Sequence, residues 1–209
     1  MFRAMQRLLS CVVLAFFCLS PGPTANADET PATAVVEALH DSLIVAMKEA
    51  ATTSFDDRSA RLGEVIAVTF DMGMIARISM GRYWKSFDQA QQEDLTAALR
   101  RLTVATYAGR FDDYSGESFR VLSEESAPRG TIFVKTELVK SDGDIVRLNY
   151  LMRSTDAGWR IVDVYFKAKY SELAVRRSEY RSVYKRVGLD GLMAAIEQKI
   201  KSYNSVIVQ

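Results

Sequence analysis

The hydrophobic residues of this chain change their spacing at two points, and these changes limit the folds open to it. Up to Phe111 they recur every three or four residues, as on one face of a helix. After Tyr114-Ser115-Gly116 they alternate with polar residues, as on one face of a β-strand. Helical spacing returns after residue 170. Helices before and after a block of strands predict an α+β domain.

The alternating block predicts a four-stranded antiparallel sheet. Two of the connections, Ser141-Asp142-Gly143 and Thr155-Asp156-Ala157-Gly158, are short and have the composition of hairpin turns. Short turns join strands that are neighbours in the sheet and run in opposite directions. The predicted strands cover about 118–124, 131–139, 144–153 and 159–167.

The first helical part begins with three predicted helices. The first begins near Val35 and the second covers about 56–68. Asp71 can cap a third helix, where Phe70 would pack on Ile75 as a hydrophobic staple, and this helix ends near Gly81.

The longest helix is predicted to follow Asp88. Gln91 lies three residues after this cap candidate, which is the spacing of a capping box. After the strands, the pattern predicts two more helices, at about 171–186 and 189–203, broken at Gly188.

The first 27 residues have the pattern of an export signal that is cleaved. Arg3 and Arg7 precede an apolar run at residues 8–19, and Ala25-Asn26-Ala27 is a small-x-small cleavage pattern. The alternatives are an uncleaved anchor, for which the run is short, and a lipidated Cys18, where the preceding Phe is too bulky. We expect a single domain over residues 28–209.

Removal of this segment changes the inventory of reactive and charged groups. Both cysteines, Cys11 and Cys18, would leave with it. Arg3 and Arg7 would leave too, so the 27 basic and 26 acidic residues of the chain become 25 and 26. A nearly neutral domain does not match a polybasic nucleic-acid binder.

One face of the predicted sheet is almost wholly apolar. A hairpin of the last two strands would place Tyr150 opposite Val162 and Leu148 opposite Val164, with Ile161 and Asp163 on the other, mixed face. The apolar face comprises Ile132, Val134 and Leu138 from the second strand, Val146, Leu148, Tyr150 and Met152 from the third, and Val162, Val164 and Phe166 from the fourth.

The longest helix is the predicted cover of this face, through its apolar side chains Leu99, Leu102, Tyr107 and Phe111. Alternation is the same for a close-packed core and for the wall of a cavity. The residues alone therefore leave both interpretations open.

Five short stretches together resemble one family. The stretches are Met80-Gly81-Arg82-Tyr83-Trp84-Lys85, Thr106-Tyr107-Ala108, Gly158-Trp159-Arg160-Ile161-Val162-Asp163-Val164, Ser171 with Arg176-Arg177-Ser178-Glu179-Tyr180, and Gly188-Leu189-Asp190-Gly191-Leu192. In this order and spacing, the chain resembles the MlaC or toluene-tolerance family of periplasmic phospholipid-binding proteins, over about residues 31–202.

The resemblance implies a fold and a function. The sheet would be curved, with an NTF2-like core, helices on one face and acyl chains inserted between them. The protein would be a periplasmic monomer of a Gram-negative envelope, carrying phospholipid between an inner-membrane ABC-type transporter complex and an outer-membrane lipoprotein complex. Tyr107 would be a pocket residue, the apolar face the tail-binding wall, and Arg160 and Arg177 are rim candidates.

The chain departs from the family pattern after the last strand. It has Lys167-Ala168-Lys169-Tyr170-Ser171 where the family usually has a Gly-Val-Ser turn. The following residues, Ser171-Glu172-Leu173-Ala174 and Arg176-Arg177-Ser178-Glu179, look closer to the hopanoid-associated HpnM branch. The cargo therefore stays open between a phospholipid and a hopanoid.

Other classes of function find little support. His40 is the one histidine and no cysteine follows the signal, so neither a zinc site nor a serine–histidine hydrolase is set up. We expect no catalytic residue, no metal and no cofactor apart from the bound lipid. The basic, aromatic stretch at residues 167–186 is either a solvated helix face or a docking surface for acidic partners or headgroups. The remaining alternative is an envelope interaction module with a solid core.

Overall fold

The computed structural model describes residues 31–206, so the predicted export signal lies outside the described residues. The first group of elements is α1 Ala32–Lys48, α2 Phe55–Thr69, α3 Met72–Met80, a 3₁₀ turn Gly81–Ser86 and α4 Gln89–Arg110. The sheet consists of β1 Ser118–Ala127, β2 Thr131–Val139, β3 Ile145–Thr155, β4 Gly158–Phe166 and β5 Tyr170–Ser171, and α5 Glu172–Val206 follows it.

Capping side chains set the beginnings of the helices, as predicted. The Asp71 carboxylate accepts a hydrogen bond of 2.9 Å from the Met74 amide. Asp88 accepts from the Gln91 amide at 2.8 Å, and the Gln91 side chain accepts from the Asp88 amide at 3.1 Å. This capping box satisfies amide groups that a helix leaves free at its first turn.

The break in the last helical region is also confirmed. Gly188 interrupts α5 with φ 70° and ψ −169°, a backbone conformation that essentially only glycine adopts.

The five strands form one antiparallel sheet in the order β1-β2-β3-β4-β5. The predicted α+β class is confirmed, with helices packed against the curved sheet, but the number of strands is corrected from four to five. The added strand, Tyr170–Ser171, pairs with the end of β4. A strand of two residues is too short to show alternation, so the sequence pattern could not reveal it.

The register of the β3–β4 hairpin differs from the predicted one. Tyr150 lies opposite Val164, and Leu148 opposite Phe166, a shift of two residues for each. A bulge then places Met152 opposite Ile161, with Val162 as the extra residue. A shift by two keeps every side chain on its face, because the period of a strand is two.

The bulge corrects the placement of Ile161, which was predicted on the outer face. An extra residue reverses the alternation beyond it, so Ile161 points inward and is fully buried. Its carbonyl accepts a hydrogen bond of 2.9 Å from the Asp71 amide, which ties the α2–α3 junction to β4.

The position after α3 requires a glycine, because Arg181 packs against Gly81. It ends α3 with φ 55°, and a β-carbon there would overlap the Arg181 guanidinium. From α5, Arg181 donates to the Ser79 carbonyl at 3.1 Å and to the Ile78 carbonyl at 3.2 Å. These bonds satisfy carbonyls at the end of α3 and hold α5 against it.

The helices enclose a core beneath the sheet. Leu39, Leu43, Ile66, Leu95 and Leu99 are fully buried where the helices meet. None of the helices in residues 31–206 has the length and apolar character needed to cross a bilayer.

Candidate functional site

A cavity of about 420 Å³ lies between the sheet, the C-terminal half of α4 and the first turns of α5. Its apolar wall is formed by side chains from all three elements and from the α2–α3 junction. They are Phe70, Ile75, Tyr107, Phe111, Leu138, Val146, Leu148, Tyr150, Val162, Val164, Phe166 and Leu173.

The remaining lining groups are polar or charged, and the exposed ones mark the open side of the cavity. Arg110, Lys140 and Lys167 are exposed to solvent. Glu172 and Arg176 are partly buried beside them. The cavity thus joins an apolar interior to a mouth rich in cations.

Aromatic rings line one side of the interior. Tyr107 meets Phe70 edge to face at 5.8 Å between ring centroids, and it stacks on Phe111 at 5.8 Å. Phe111 continues to Phe119 at 6.1 Å. Ring pairs of this kind contribute stabilisation beyond that from their buried area.

Tyr150, which forms the floor of the cavity, is paired with His40 of α1, which lies outside the cavity lining. The Tyr150 hydroxyl and His40 Nε2 are 3.0 Å apart, and both side chains are buried. Burial lowers the pKa of His40 to about 4 and raises the pKa of Tyr150 well above its ordinary value. Both groups are therefore neutral at neutral pH, so the floor carries no charge.

Asp163 joins the cavity wall to the beginning of α5. Its carboxylate accepts hydrogen bonds from the Ser171 hydroxyl at 2.5 Å and the Leu173 amide at 2.9 Å. Burial raises the pKa of Asp163, while these hydrogen bonds act in the opposite direction. A carboxylate near the first amides of a helix also interacts favourably with the helix dipole.

The structure brings most of the predicted site residues together around this cavity. The side chains of Tyr107, Phe111, Leu138, Val146, Leu148, Tyr150, Val162, Val164 and Phe166 border it. The others, Leu99, Leu102, Ile132, Val134 and Met152, are absent from its wall and belong to the packed core around it. They share faces with the lining residues, but lie further along α4 and the strands.

The two rim candidates do not border the cavity. Arg160 lies near the β3–β4 turn, opposite Arg153, and Arg177 is exposed on α5. The neighbouring Arg176 lines the mouth instead and donates to the Thr103 hydroxyl on α4 at 3.0 Å. Arg176 lies three residues after Leu173 on α5, and this helical spacing is the signal that could have identified it.

Sequence reasoning also missed Arg110 and Asp163. Arg110 lies three residues after Tyr107, so helical spacing puts both on one side of α4. Asp163 was predicted on the outer face, but the bulge beside it and its bonds to Ser171 and Leu173 draw it toward α5.

Neither a metal site nor a hydrolytic pair is evident in the described part of the chain. No group of three or more His, Cys, Asp or Glu side chains within residues 31–206 could hold a metal ion. His40 contacts a tyrosine hydroxyl and stacks on Phe119 at 4.0 Å between ring centroids. Neither contact supplies the serine or thiol nucleophile that a histidine base activates.

Comparison with known proteins adds two findings. The family model described as MlaC protein matches residues 37–198. Among solved structures, the chain is similar to a phospholipid-binding protein from Ralstonia solanacearum, determined with a phospholipid at 1.53 Å resolution. The two are 18% identical, and the match covers 83% of this chain and 99% of that one with a TM-score of 0.72. No curated protein matches this chain.

Proposed function

Because the chain belongs to the MlaC family, we propose that it is a periplasmic carrier that holds a lipid tail in the cavity beside Tyr107. The observation that carries this proposal is the form of the site: an apolar interior of about 420 Å³ that opens through a cationic mouth. An acyl chain matches the interior, and an anionic headgroup matches the mouth.

The size of the cavity supports a cargo with one inserted chain. A methylene group is about as large as a water molecule, which takes roughly 30 Å³ in the liquid. A cavity of 420 Å³ therefore has room for about 14 methylenes, or for a polycyclic body of similar volume. A second acyl chain would lie at the open side or require the mouth to widen.

Carriage of this kind needs no chemistry. Each buried methylene contributes about 0.8 kcal/mol, so a chain of about 14 methylenes is held by roughly 11 kcal/mol at most. Spontaneous release into water is then slow, and transfer depends on a partner that accepts the tail. The neutral Tyr150 hydroxyl and its neutral partner His40 keep charge away from the apolar interior, which supports a binding role.

We propose phospholipid as the cargo, with transfer between an inner-membrane transporter complex and an outer-membrane lipoprotein complex. The export pattern of residues 1–27 supports the periplasmic location, with residues 28–209 as the exported domain. The stretch Ser171-Glu172-Leu173-Ala174, with Arg176-Arg177-Ser178-Glu179 after it, favours a hopanoid as the second candidate cargo. Extraction and identification of the bound lipid decides between the two.

Native mass spectrometry of the purified protein tests lipid binding directly. We expect an adduct with the mass of a lipid in the wild-type protein and none in Leu148→Arg, because a charge in the apolar wall is costly to bury. The matched control is Leu122→Arg on β1, where the wild-type residue is 51% exposed.

Circular dichroism shows whether both variants fold. A wild-type protein that never carries or takes up lipid would contradict the proposal and favour an envelope interaction module. Global unfolding of Leu148→Arg with a lipid-free wild type would indicate a dry core around that residue.

A further inference from the structure

The short connection between β4 and β5, here called the 166–170 loop, projects two aromatic side chains into solvent. Phe166 and Tyr170 are register partners, so their side chains lie on the same side of the sheet. They are 38% and 61% exposed. Two exposed rings side by side form a small apolar patch, and such a patch indicates a contact site more strongly than a single exposed residue does.

The backbone of this loop is held in an unfavourable conformation. Lys167 and Ala168 have φ of 52° and 57°, in the left-handed region that residues with a β-carbon adopt at a cost. A hydrogen bond of 3.2 Å from the Lys169 amide to the Phe166 carbonyl closes the turn. The Asp163–Ser171 hydrogen bond anchors its far end. The surrounding contacts therefore keep the loop in its projecting form.

The loop lies at the mouth of the cavity. Phe166 and Lys167 both line the cavity, and the Lys167 ammonium group lies 5.6 Å from the centre of the Phe166 ring. Any surface that the loop contacts is therefore next to the opening through which a lipid tail passes.

The charge around the loop is positive, although the chain as a whole is nearly neutral. Lys167 and Lys169 are exposed on the loop, and Arg110 and Lys140 are exposed beside it at the mouth. Of the two carboxylates that line the mouth, Glu172 is paired with Arg110 at 3.6 Å and Asp163 is buried. Lys140, Lys167 and Lys169 are thus available to an anionic surface.

We propose that the 166–170 loop docks the mouth of the cavity directly on an anionic lipid bilayer. Aromatic rings favour the headgroup level of a membrane, and each nearby Lys adds attraction to anionic lipids. The bilayer is favoured over an acidic protein because exposed rings and lysines lie together at the opening that a tail must enter. The proposal rests on the proposed lipid binding.

Vesicle co-sedimentation tests the docking. The protein, purified after expression of the full coding sequence, is mixed with phosphatidylcholine vesicles with and without phosphatidylglycerol. We expect binding that requires phosphatidylglycerol and weakens with salt. The variant Lys169→Glu/Tyr170→Ser, which leaves every cavity-lining residue unchanged, should bind at least about tenfold more weakly.

The matched control is Lys201→Glu/Leu122→Ser, which makes the same kinds of change at the far end of α5 and on β1, the opposite edge strand. It should bind as the wild type does. The single change Lys169→Gln serves if the double variant does not fold, and it should weaken binding severalfold.

Two readouts separate this proposal from the proposed function. A loop variant that binds vesicles as well as the wild type, or a wild type indifferent to phosphatidylglycerol, overturns docking while native mass spectrometry still detects bound lipid. A wild type that ignores vesicles but is retained on immobilised polyglutamate overturns docking in favour of an acidic protein partner. An empty wild-type cavity overturns the proposed function instead.

Discussion

His40 on α1 and Tyr150 on β3 are joined by a buried hydrogen bond of 3.0 Å between Nε2 and the tyrosine hydroxyl. The imidazole also stacks on Phe119 of β1 at 4.0 Å between ring centroids. One histidine thus links the first helix to the cavity residue Tyr150 and to the edge of the sheet. Its protonation would place a charge among buried aromatic side chains.

This pair predicts a stability that falls in mild acid. Because burial lowers the pKa of His40 from 6.5 to about 4, the unfolded chain binds more protons than the folded chain between these values. This contribution to the free energy of unfolding should be fully present above pH 6.5. The free energy of unfolding should then decrease by roughly 3 kcal/mol as the pH falls to about 4. Urea unfolding across this range measures it.

His40→Gln is the control for this prediction, because glutamine retains a hydrogen-bonding side chain without titrating in this range. It should be less stable than the wild type at pH 7.5 and lack the steep loss between pH 6.5 and 4. Equal pH dependence in both proteins would show that other groups cause the loss.

Filling the cavity should displace lipid without unfolding the protein. Val164 is partly buried in the cavity wall. Tryptophan at this position would occupy the space of about four methylenes, equivalent to roughly 3 kcal/mol or a hundredfold weaker binding. Displacement of a fluorescent fatty acid measures the loss. Val68→Trp, at a residue 58% exposed on α2, should bind as the wild type does.

Two adjacent arginines should contribute differently to lipid retention. Arg176 lines the mouth and Arg177 is exposed away from it. Replacement of Arg176 by Met keeps an apolar stem but removes the cation, and should weaken retention of phosphatidylglycerol about tenfold. Arg177→Met should have little effect. Competition between labelled and unlabelled lipid gives both values, and equal losses would place Arg177 at the rim after all.

The contact between Gly81 and Arg181 should produce coupled losses of stability. Gly81→Ala forces the guanidinium away from the Ile78 and Ser79 carbonyls, at a cost of about 2–3 kcal/mol. Arg181→Ala should cost about 2 kcal/mol for the same lost bonds. In a double-mutant cycle by urea unfolding, the two losses should fall short of additivity by about 1 kcal/mol or more. Additive losses would mean that the side chains act separately.

The local features of this fold could be predicted from the sequence because their causes lie within a few residues. Asp71 and Asp88 begin helices through bonds to amides three residues away, and Gly188 breaks a helix through its own backbone angles. Ile161 was placed on the wrong face because a bulge depends on how two strands pair, which the period of one strand does not record. The same limit applies to the two-residue strand at Tyr170.

The sequence by itself determined the order of the helices and the four long strands, the family, and most of the residues that face inward. These follow from hydrogen bonds within an element and from the period of its side chains. Only the tertiary structure decided which inward residues border an open space. Leu99 and Tyr107 belong to the same apolar face of α4, yet Leu99 is fully buried in the core and Tyr107 lines the cavity. Distances between α4, α5 and the sheet create that difference, and they are not encoded in the period of any single element.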